Sequence, residues 1–235
     1  MGKNKLKKFA QNETFAHMIQ PMGDEALKGA HPLKGKWSEE FGNDNPIVLE
    51  LACGKGEYSV GMAQIYPDKN FIGIDIKGAR MFSGARAVEE KELKNVRFLR
   101  TKIDFIAGFF GPNEVNEIWI LFADPQMQKP KKRLTSLLFL GRYVQFLKPG
   151  GTLNLKSDSD ELYEFTRDES IPEFNSEDVE FNFEIQFDTN ELYEKGIFEL
   201  DETLQQVMNI RTFYEQMWLK QGKKIKYLSY QLKKT

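Results

Sequence analysis

Residues 47–57 read I-V-L-E-L-A-C-G-K-G-E, an apolar run that passes directly into a loop with two glycines. An almost unbroken apolar run of this length is typical of a parallel strand that is covered on both faces. Gly54 and Gly56 let the backbone turn sharply and approach a ligand closely, because they carry no Cβ. A helix beginning near Glu57 would direct its N-terminal amide groups towards the same ligand. The stretch predicts a nucleotide-type pocket built from a strand, a loop and a helix.

The same alternation of strand and helix patterns continues along the chain. Apolar or alternating runs predict seven strands, at residues 47–51, 70–76, 95–103, 117–122, 152–156, 180–188 and 225–232. The runs between them predict helices at residues 57–66, 79–93, 104–110 and 134–147. Strands that alternate with helices require a mainly parallel sheet with helices on both faces. We therefore predict an α/β fold with a doubly wound, mainly parallel, seven-stranded Rossmann-like sheet and one antiparallel strand near the C-terminus.

Length and composition indicate one globular domain with an extension. The chain has 235 residues, 40% of them hydrophobic and 29% charged, which is enough to bury a substantial core. The first 45 residues show little periodicity and contain Pro21, Pro32 and several glycines. We predict a loosely structured basic arm at residues 1–45 and a single domain at residues 46–235.

The sequence gives no sign of a membrane span, a disulfide or a metal site. No apolar run reaches the roughly 18 residues that span a bilayer, and the lysine-rich start lacks the apolar core of a signal peptide. Cys53 is the single cysteine, which excludes an internal disulfide and fits a cytoplasmic protein. The two histidines, His17 and His31, argue against a histidine-rich metal site.

Charge is unevenly distributed along the chain. Residues 157–206 contain 17 acidic and 2 basic residues, whereas the remainder contains 31 basic and 18 acidic residues. The basic residues concentrate at positions 3–8, 129–133 and 220–226. This distribution favours a polyanionic partner such as a nucleic acid, although solvated basic surfaces would look the same.

Acidic residues around the glycine loop distinguish between two classes of cofactor. Asp75 ends the second predicted strand and is placed to accept hydrogen bonds from ribose hydroxyls, with a helix-capping role as the alternative. A dinucleotide site needs a third glycine, but Ser59 stands in that position. Glu50 and Glu57 would also place negative charge beside a pyrophosphate. S-adenosylmethionine carries no phosphate and has cationic sulfonium and amino groups, so we predict S-adenosylmethionine as the cofactor.

Several short motifs occur in a characteristic order. They are E-L-A-C-G-K-G-E, F-I-G-I-D-I-K, F-A-D-P followed by K-P-K-K-R-L-T, then L-K-P-G-G and K-S-D. The tail adds R-T-F-Y-E at residues 211–215 and G-K-K-I-K-Y at residues 222–227. Together they resemble the bacterial tRNA (guanine-N7-)-methyltransferase family, which belongs to the class I S-adenosylmethionine-dependent methyltransferases. The resemblance covers residues 47–232 and implies tRNA as the partner and guanine N7 as the methyl acceptor.

The resemblance also implies roles for individual residues. Glu50 matches the glutamate before the family's glycine loop, which implies a cofactor contact near the methionine moiety. Asp75 matches the acid that contacts the ribose, and Asp124 matches the active-site aspartate of the D-P motif. Contacts with the substrate guanosine are implied for Asp158 and for the residues of the tail motif, which are Thr212, Phe213, Tyr214 and Glu215.

The implied reaction makes few demands on acid–base chemistry. Guanine N7 has a lone pair and no proton, so no strong general base is needed. Alignment of N7 with the methyl carbon can contribute up to ~7–11 kcal/mol in favourable cases. A carboxylate such as Asp124 or Asp158 can accept hydrogen bonds from guanine N1–H and the exocyclic amine, which selects guanine over adenine. A plain turn is the alternative interpretation of Asp124.

The basic residues near these motifs are predicted to lie on the RNA-binding surface, whereas the aromatic residues and Cys53 are predicted to pack in the interior. Four basic residues after Asp124 are predicted to contact RNA phosphates, with a solvated loop as the alternative: Lys129, Lys131, Lys132 and Arg133. We expect Phe213, Tyr214 and Trp218 to lie in the core rather than against a base. Cys53 is expected to fill space, because no histidine partner is in evidence to make it a nucleophile.

A few positions depart from the family pattern. Ala52 stands where a glycine is common, which should restrict the loop, and Ala123 replaces the proline before D-P. The basic loop is shorter than the commonest form. The acid expected after the third strand falls near Asp104, which we predict as an adenine-side contact.

The leading hypothesis is therefore a cytoplasmic enzyme without a metal that methylates N7 of a guanosine in the variable loop of tRNA. A methyltransferase that acts on a protein or a small molecule remains open, as does a catalytically silent tRNA-binding relative. The sequence is compatible with a monomer or a homodimer.

Overall fold

The computed structural model describes residues 2–21, 31–177 and 180–235. The chain divides into two compact units, Met1–Gly111 and Pro112–Thr235. The described residues of the predicted arm therefore share a unit with the first strands and helices of the predicted domain. No helix in the described ranges is long and apolar enough to cross a membrane.

The described residues form eight strands and nine α-helices. The strands are β1 (Met18–Ile19), β2 (Ile47–Leu51), β3 (Asn70–Asp75), β4 (Val96–Arg100), β5 (Val115–Leu121), β6 (Leu147–Ser157), β7 (Phe181–Thr189) and β8 (Lys226–Lys234). The helices are α1 (Gly2–Asn12), α2 (Trp37–Phe41), α3 (Glu57–Ile65), α4 (Gly78–Glu90), α5 (Leu137–Tyr143), α6 (Asp160–Glu164), α7 (Ile171–Ser176), α8 (Glu202–Met208) and α9 (Phe213–Lys220).

The first unit contains parallel strands in the order β1-β4-β3-β2. Every residue of β2 and β3 is buried, which explains why both strands have almost continuous apolar sequences. Glu50 of β2 lies opposite Gly73 of β3, and Asp75 is the last residue of β3. The carboxyl ends of β2 and β3 each lead through a loop into a helix, α3 or α4.

The N-terminal segment is folded onto this unit where the structure describes it, in place of the loosely structured arm that we predicted. α1 packs against α4, and the buried Asn12 side chain donates a 2.8 Å hydrogen bond to the Gly78 carbonyl. β1 adds a parallel strand beside β4. Trp37 is fully buried, and its indole N–H donates to the Phe109 carbonyl at 2.8 Å. These few anchors have no helical or strand periodicity, which is why the sequence pattern missed them. Residues 22–30 of the predicted arm lie outside the described residues.

The second unit contains the strands β5-β6-β8-β7. β5 and β6 are parallel, and β8 is antiparallel to both of its neighbours, in agreement with the antiparallel strand predicted near the C-terminus. β6 begins earlier than predicted, because Leu147 already pairs with Val115 before the bulge that precedes Glu117. The mainly parallel α/β class is confirmed. The count exceeds the predicted seven strands by one, because β1 was not foreseen.

Candidate active site

The glycine loop after β2 has an unusual backbone. Ala52, Gly54 and Gly56 have φ angles of 56°, 57° and 71°. The Cys53 amide donates to the Ile74 carbonyl at 3.0 Å, and the Gly56 amide donates to the Cys53 carbonyl at 2.8 Å. The loop therefore folds back over the end of β3, as the two glycines predicted.

Glycines within and outside the loop make room for one aromatic ring. A Cβ on Gly56 would lie 2.5 Å from the Phe98 ring, and a Cβ on Gly73 of β3 would lie 2.7 Å from the same ring. A Cβ on Gly84 of α4 would lie 2.6 Å from both the Lys55 carbonyl oxygen and Phe98. The ring of Phe98 therefore fills a space that three glycines leave open. Sequence reasoning missed Gly73 and Gly84, although a glycine inside a strand often marks a close approach of this kind.

Replacing Ala52 with glycine is expected to increase the free energy of unfolding by about 0.5–1 kcal/mol. The left-handed conformation costs residues other than glycine about 1–2 kcal/mol, and the entropy of glycine in the unfolded chain offsets part of the gain. Urea unfolding without cofactor measures the change. Ala87→Gly, inside α4, is the matched control and is expected to lower stability by about 1 kcal/mol. A loss of stability in Ala52→Gly would contradict the strain at this position.

Glu50 is a buried carboxyl that anchors the first turn of α3. Its Oε2 accepts hydrogen bonds from the Ser59 amide, at 2.7 Å, and from the Ser59 hydroxyl. Its Oε1 has no hydrogen-bond partner among the described residues. Burial raises the pKa of the Glu50 carboxyl to about 8, and the hydrogen bonds from Ser59 oppose this rise only in part. Glu50 thus has a structural role in addition to the predicted cofactor contact. Its Oε1 atom is left to form a hydrogen bond with a ligand.

Asp75 fastens the glycine loop to the turn before α4. Its two carboxylate oxygens accept hydrogen bonds from the backbone amides of Gly54, at 3.0 Å, and Lys77, at 2.8 Å. Because a carboxylate oxygen accepts about two hydrogen bonds, both oxygens can still accept from ribose hydroxyls. Ile76, the next residue, is apolar and exposed. The predicted strand included Ile76, whereas the observed strand ends at Asp75.

Asp104 lies in the same unit as the glycine loop, but its position supports a cofactor contact less directly than the positions of Glu50 and Asp75 do. It is an exposed residue in the 3-10 helix Ile103–Gly108, which follows β4 after a short connection. The position after the third predicted strand is therefore as expected, and the adenine contact remains a prediction.

Asp124 lies beyond the carboxyl end of β5, on the exposed surface of the second unit. The chain reaches it through Phe122, which has a φ angle of 50° and whose amide donates to the Lys156 carbonyl at 2.9 Å. Asp124 Oδ1 accepts a 2.9 Å hydrogen bond from the Gln126 amide, which closes a local turn. Asp124 Oδ2 has no hydrogen-bond partner in the described ranges. The turn that we considered as an alternative is present, and it leaves one acceptor oxygen open.

The four basic residues after Asp124 do not share one environment. Lys129, Lys131 and Lys132 are exposed, in and beside the 3-10 helix Pro130–Lys132. Arg133 is buried instead: its guanidinium donates to the Pro125 carbonyl at 2.9 Å and to the Glu161 carboxylate at 2.7 Å. Arg133 therefore ties the loop that carries Asp124 to the protein, a role that competes with the phosphate contact predicted for it.

The tail motif forms the first turn of α9. Thr212 precedes the helix, and its hydroxyl accepts from the Glu215 amide at 3.2 Å. Phe213 and Tyr214 are 53% and 46% exposed, so the expectation that they lie in the core is wrong. Glu215 points the other way and is fully buried, with its Oε1 2.6 Å from the Lys156 ammonium. A helix at a surface buries one face and exposes the other, and the sequence alone did not fix which face of this turn was directed inwards.

Asp158 carries a lysine partner. Its carboxylate lies 2.7 Å from the ammonium of Lys223, and its carbonyl accepts from Lys226 at 3.2 Å. The Lys223 ammonium also lies 3.9 Å from the centroid of the half-buried Trp218 ring. A guanine that approached Asp158 would have to compete with Lys223. Within the described residues, no group of acidic, histidine or cysteine side chains is arranged to hold a metal ion.

Comparisons with known proteins give a family for the whole chain. A family model described as "Putative methyltransferase" matches residues 44–228. The tRNA (guanine-N(7)-)-methyltransferase of Bacteroides thetaiotaomicron is 46% identical to this chain, over 99% of this chain and 87% of the relative. The proteins of the same name from Christiangramia forsetii and Porphyromonas gingivalis are 45% and 47% identical. These two matches cover 99% and 94% of this chain and 99% and 86% of the relatives.

Solved structures with low sequence identity share the fold. The crystal structure of the 16S rRNA methyltransferase KamB has a TM-score of 0.61 and 13% identity, over 85% of this chain and 93% of that chain. A structure of an antibiotic-related methyltransferase has a TM-score of 0.55 and 14% identity, over 84% of this chain and 92% of that chain. At these identities the similarity concerns the fold alone.

Proposed function

Since this chain belongs to the tRNA (guanine-N(7)-)-methyltransferase family, we propose that it transfers a methyl group from S-adenosylmethionine to N7 of a guanosine in the variable loop of tRNA. Guanine-N7 methylation of tRNA follows from the family. Beyond the family's reaction, the proposal includes the cofactor, the position in the tRNA, a cytoplasmic location and the roles of single residues.

The acidic surroundings of the glycine loop support a cationic cofactor. The observation that carries the proposal is the buried Glu50 carboxyl, one oxygen of which has no partner in the described part of the chain. S-adenosylmethionine, when bound, supplies a methyl carbon on a cationic sulfur. Glu50 would bind the cationic methionine moiety, and Asp75 would accept hydrogen bonds from the ribose hydroxyls. A phosphate-bearing cofactor would not favour ionisation of Glu50 and would meet repulsion from Asp75.

The acceptor guanine needs to be held rather than deprotonated. Asp124 Oδ2 is an open acceptor beside a hydrogen-bonded turn, so it can accept from guanine N1–H or from the 2-amino group. Asp158 is less suited to this task, because Lys223 already pairs with its carboxylate. Asp124 therefore orients the base, and N7 attacks with its own lone pair. Positioning of this kind can account for up to ~7–11 kcal/mol of rate acceleration.

Lys129, Lys131 and Lys132 are proposed to contact tRNA phosphates. Replacing all three with alanine is expected to lower the slope of log affinity against log salt concentration by about 2–3, since each phosphate contact contributes roughly 0.7–0.9. Filter binding of tRNA across a salt series measures this slope. Lys91→Ala, which removes an exposed lysine at the end of α4, is the control and should leave the slope unchanged. An unchanged slope in the triple variant would remove these lysines from the interface.

The position of the methyl group in tRNA can be tested directly. Two transcripts of one tRNA should be compared, one with the natural guanosine in the variable loop and one with adenosine at that position. The proposal expects 7-methylguanosine in the first transcript alone. Equal 7-methylguanosine in both would place the acceptor elsewhere in the tRNA and leave the family's reaction intact.

A further inference from the structure

Basic side chains gather where α1 packs against the start of α4. The guanidinium carbon of Arg100, at the end of β4, lies 4.7 Å from the centroid of the Phe9 ring of α1. The ammonium of Lys5 lies 5.9 Å from the same centroid, so two cations flank one aromatic ring. A Cβ on Gly78, the first residue of α4, would lie 2.9 Å from Arg100 and 3.0 Å from Phe9. The glycine therefore lets α1, α4 and β4 meet closely.

Two further lysines belong to this group. Lys8 lies three residues after Lys5 in α1, and its ammonium is 5.6 Å from the centroid of the Phe82 ring of α4. Lys77 is exposed and directly precedes the first residue of α4. The stems of long basic side chains can pack on aromatic rings while the charged groups stay in water. We call the four residues the α1 basic surface: Lys5, Lys8, Lys77 and Arg100.

The charges of the α1 basic surface do not stabilise the fold by themselves. Lys5 lies in the first turn of α1, where a cation opposes the helix dipole. Lys5 and Lys8 are neighbours of like charge on the helix, because they are three residues apart. Within the described residues, none of the four side chains forms an ion pair with a carboxylate. The surface therefore has an excess of positive charge that an anionic partner would neutralise.

The α1 basic surface lies at the same edge of the sheet as the predicted ribose contact. Arg100 is opposite Asp75 in the register of β4 and β3, and its Nε donates to the Ile76 carbonyl at 3.3 Å. The Asp75 carboxylate accepts from the Lys77 amide. A substrate that receives a methyl group from a cofactor bound at Asp75 has to approach this edge. A polyanionic substrate would then come close to the four cations.

We propose that the α1 basic surface binds backbone phosphates of the tRNA. The inference rests on the proposed function, because the partner is the substrate tRNA. A lysine ammonium contacts a phosphate as a point charge and does not read the base, so the surface contributes affinity rather than the choice of base. An anionic membrane fits less well, because a helix that lies on a membrane needs an apolar face. Leu6 is the large apolar residue of α1 that the structure shows as exposed.

A Lys5→Gln/Lys8→Gln double variant of the full chain tests this surface. Filter binding of tRNA across a salt series is expected to show a slope of log affinity against log salt concentration that is lower by about 1.4–1.8, since each phosphate contact contributes roughly 0.7–0.9. The KM for tRNA should rise several-fold, whereas kcat and cofactor affinity should match wild type. Lys5→Arg/Lys8→Arg keeps both charges and should restore the slope and the KM.

Lys91→Gln/Lys94→Gln is the matched control, because it removes two exposed lysines beyond the other end of α4 and changes the net charge equally. It should leave the slope and the KM unchanged. An unchanged slope in Lys5→Gln/Lys8→Gln, or an equal fall in the control, would overturn the inference. Wild-type binding to anionic lipid vesicles that is lost in Lys5→Gln/Lys8→Gln, with an unchanged tRNA slope, would also overturn it and assign the surface to a membrane. Failure of wild type to methylate tRNA would instead overturn the proposed function.

Discussion

Replacing Asp124 with asparagine is expected to lower kcat/KM for tRNA methylation by about 100-fold or more, because misplacing a reacting group by 1 Å costs about that much. Asparagine can keep the local turn, since its side-chain oxygen accepts the Gln126 amide as Asp124 Oδ1 does. Its amide nitrogen then replaces the open Oδ2 acceptor. The side-chain N–H of asparagine would then face the N1–H or the 2-amino group of guanine. Because both groups are donors, they form no hydrogen bond, and the base would lose its orientation.

Steady-state kinetics with tRNA and a separate cofactor titration distinguish this effect from a loss of folding. Cofactor affinity and the melting temperature are expected to match wild type. Asp201→Asn is the matched control, because Asp201 likewise accepts a backbone amide, that of Leu204 at 2.9 Å, in an exposed cap. Activity within about threefold of wild type in Asp124→Asn would contradict the role that we assign to this residue.

Replacing Glu50 with glutamine is expected to remove most of the pH dependence of cofactor binding. The pKa of the Glu50 carboxyl is raised to about 8, so most of this group is protonated at neutral pH in the free protein. A cationic cofactor favours the carboxylate, so affinity in wild type should rise between pH 6 and pH 8, by up to about tenfold per pH unit, as the ionised fraction grows. Calorimetric titrations of both proteins at pH 6, 7 and 8 measure this difference. Parallel pH profiles would contradict a contact between Glu50 and the cation.

The same variant tests the pKa shift without a ligand. Between pH 4.5, the ordinary value, and about pH 8, folded Glu50 keeps a proton that the unfolded chain releases. Rising pH therefore favours unfolding, with a limiting slope of about 1.4 kcal/mol per pH unit. The free energy of unfolding is expected to fall more steeply with pH in wild type than in Glu50→Gln across this window. Urea unfolding at pH 5.5, 6.5 and 7.5 checks the slope.

Much of the fold could be predicted from the sequence, because buried parallel strands have a strong pattern. Strand β2 was predicted with its observed bounds, and β3 differed by one residue, since both are apolar throughout. The N-terminal segment could not be predicted in this way. Its docking depends on single side chains such as Asn12 and Trp37, whose partners are distant in sequence.

The candidate site was predicted less evenly. Asp75 and Asp124 were predicted at the carboxyl ends of strands, because the apolar pattern of a buried parallel strand stops close to where the strand ends. Burial within loops and helix starts was harder to foresee. Arg133 and Glu215 are buried while Phe213 is exposed, and nothing in their local sequence states which way each side chain turns. The partners of Glu215 come from β6 and from Tyr193, so only the tertiary structure reveals them.

The identity of the modified base shows most directly which reaction this protein performs. Purified protein should be incubated with S-adenosylmethionine and tRNA that lacks 7-methylguanosine, and the digested nucleosides analysed by mass spectrometry. We predict that 7-methylguanosine accumulates and that its amount depends on the cofactor. Cofactor binding without any methylated nucleoside in tRNA, or methylation of a different base, would contradict the account.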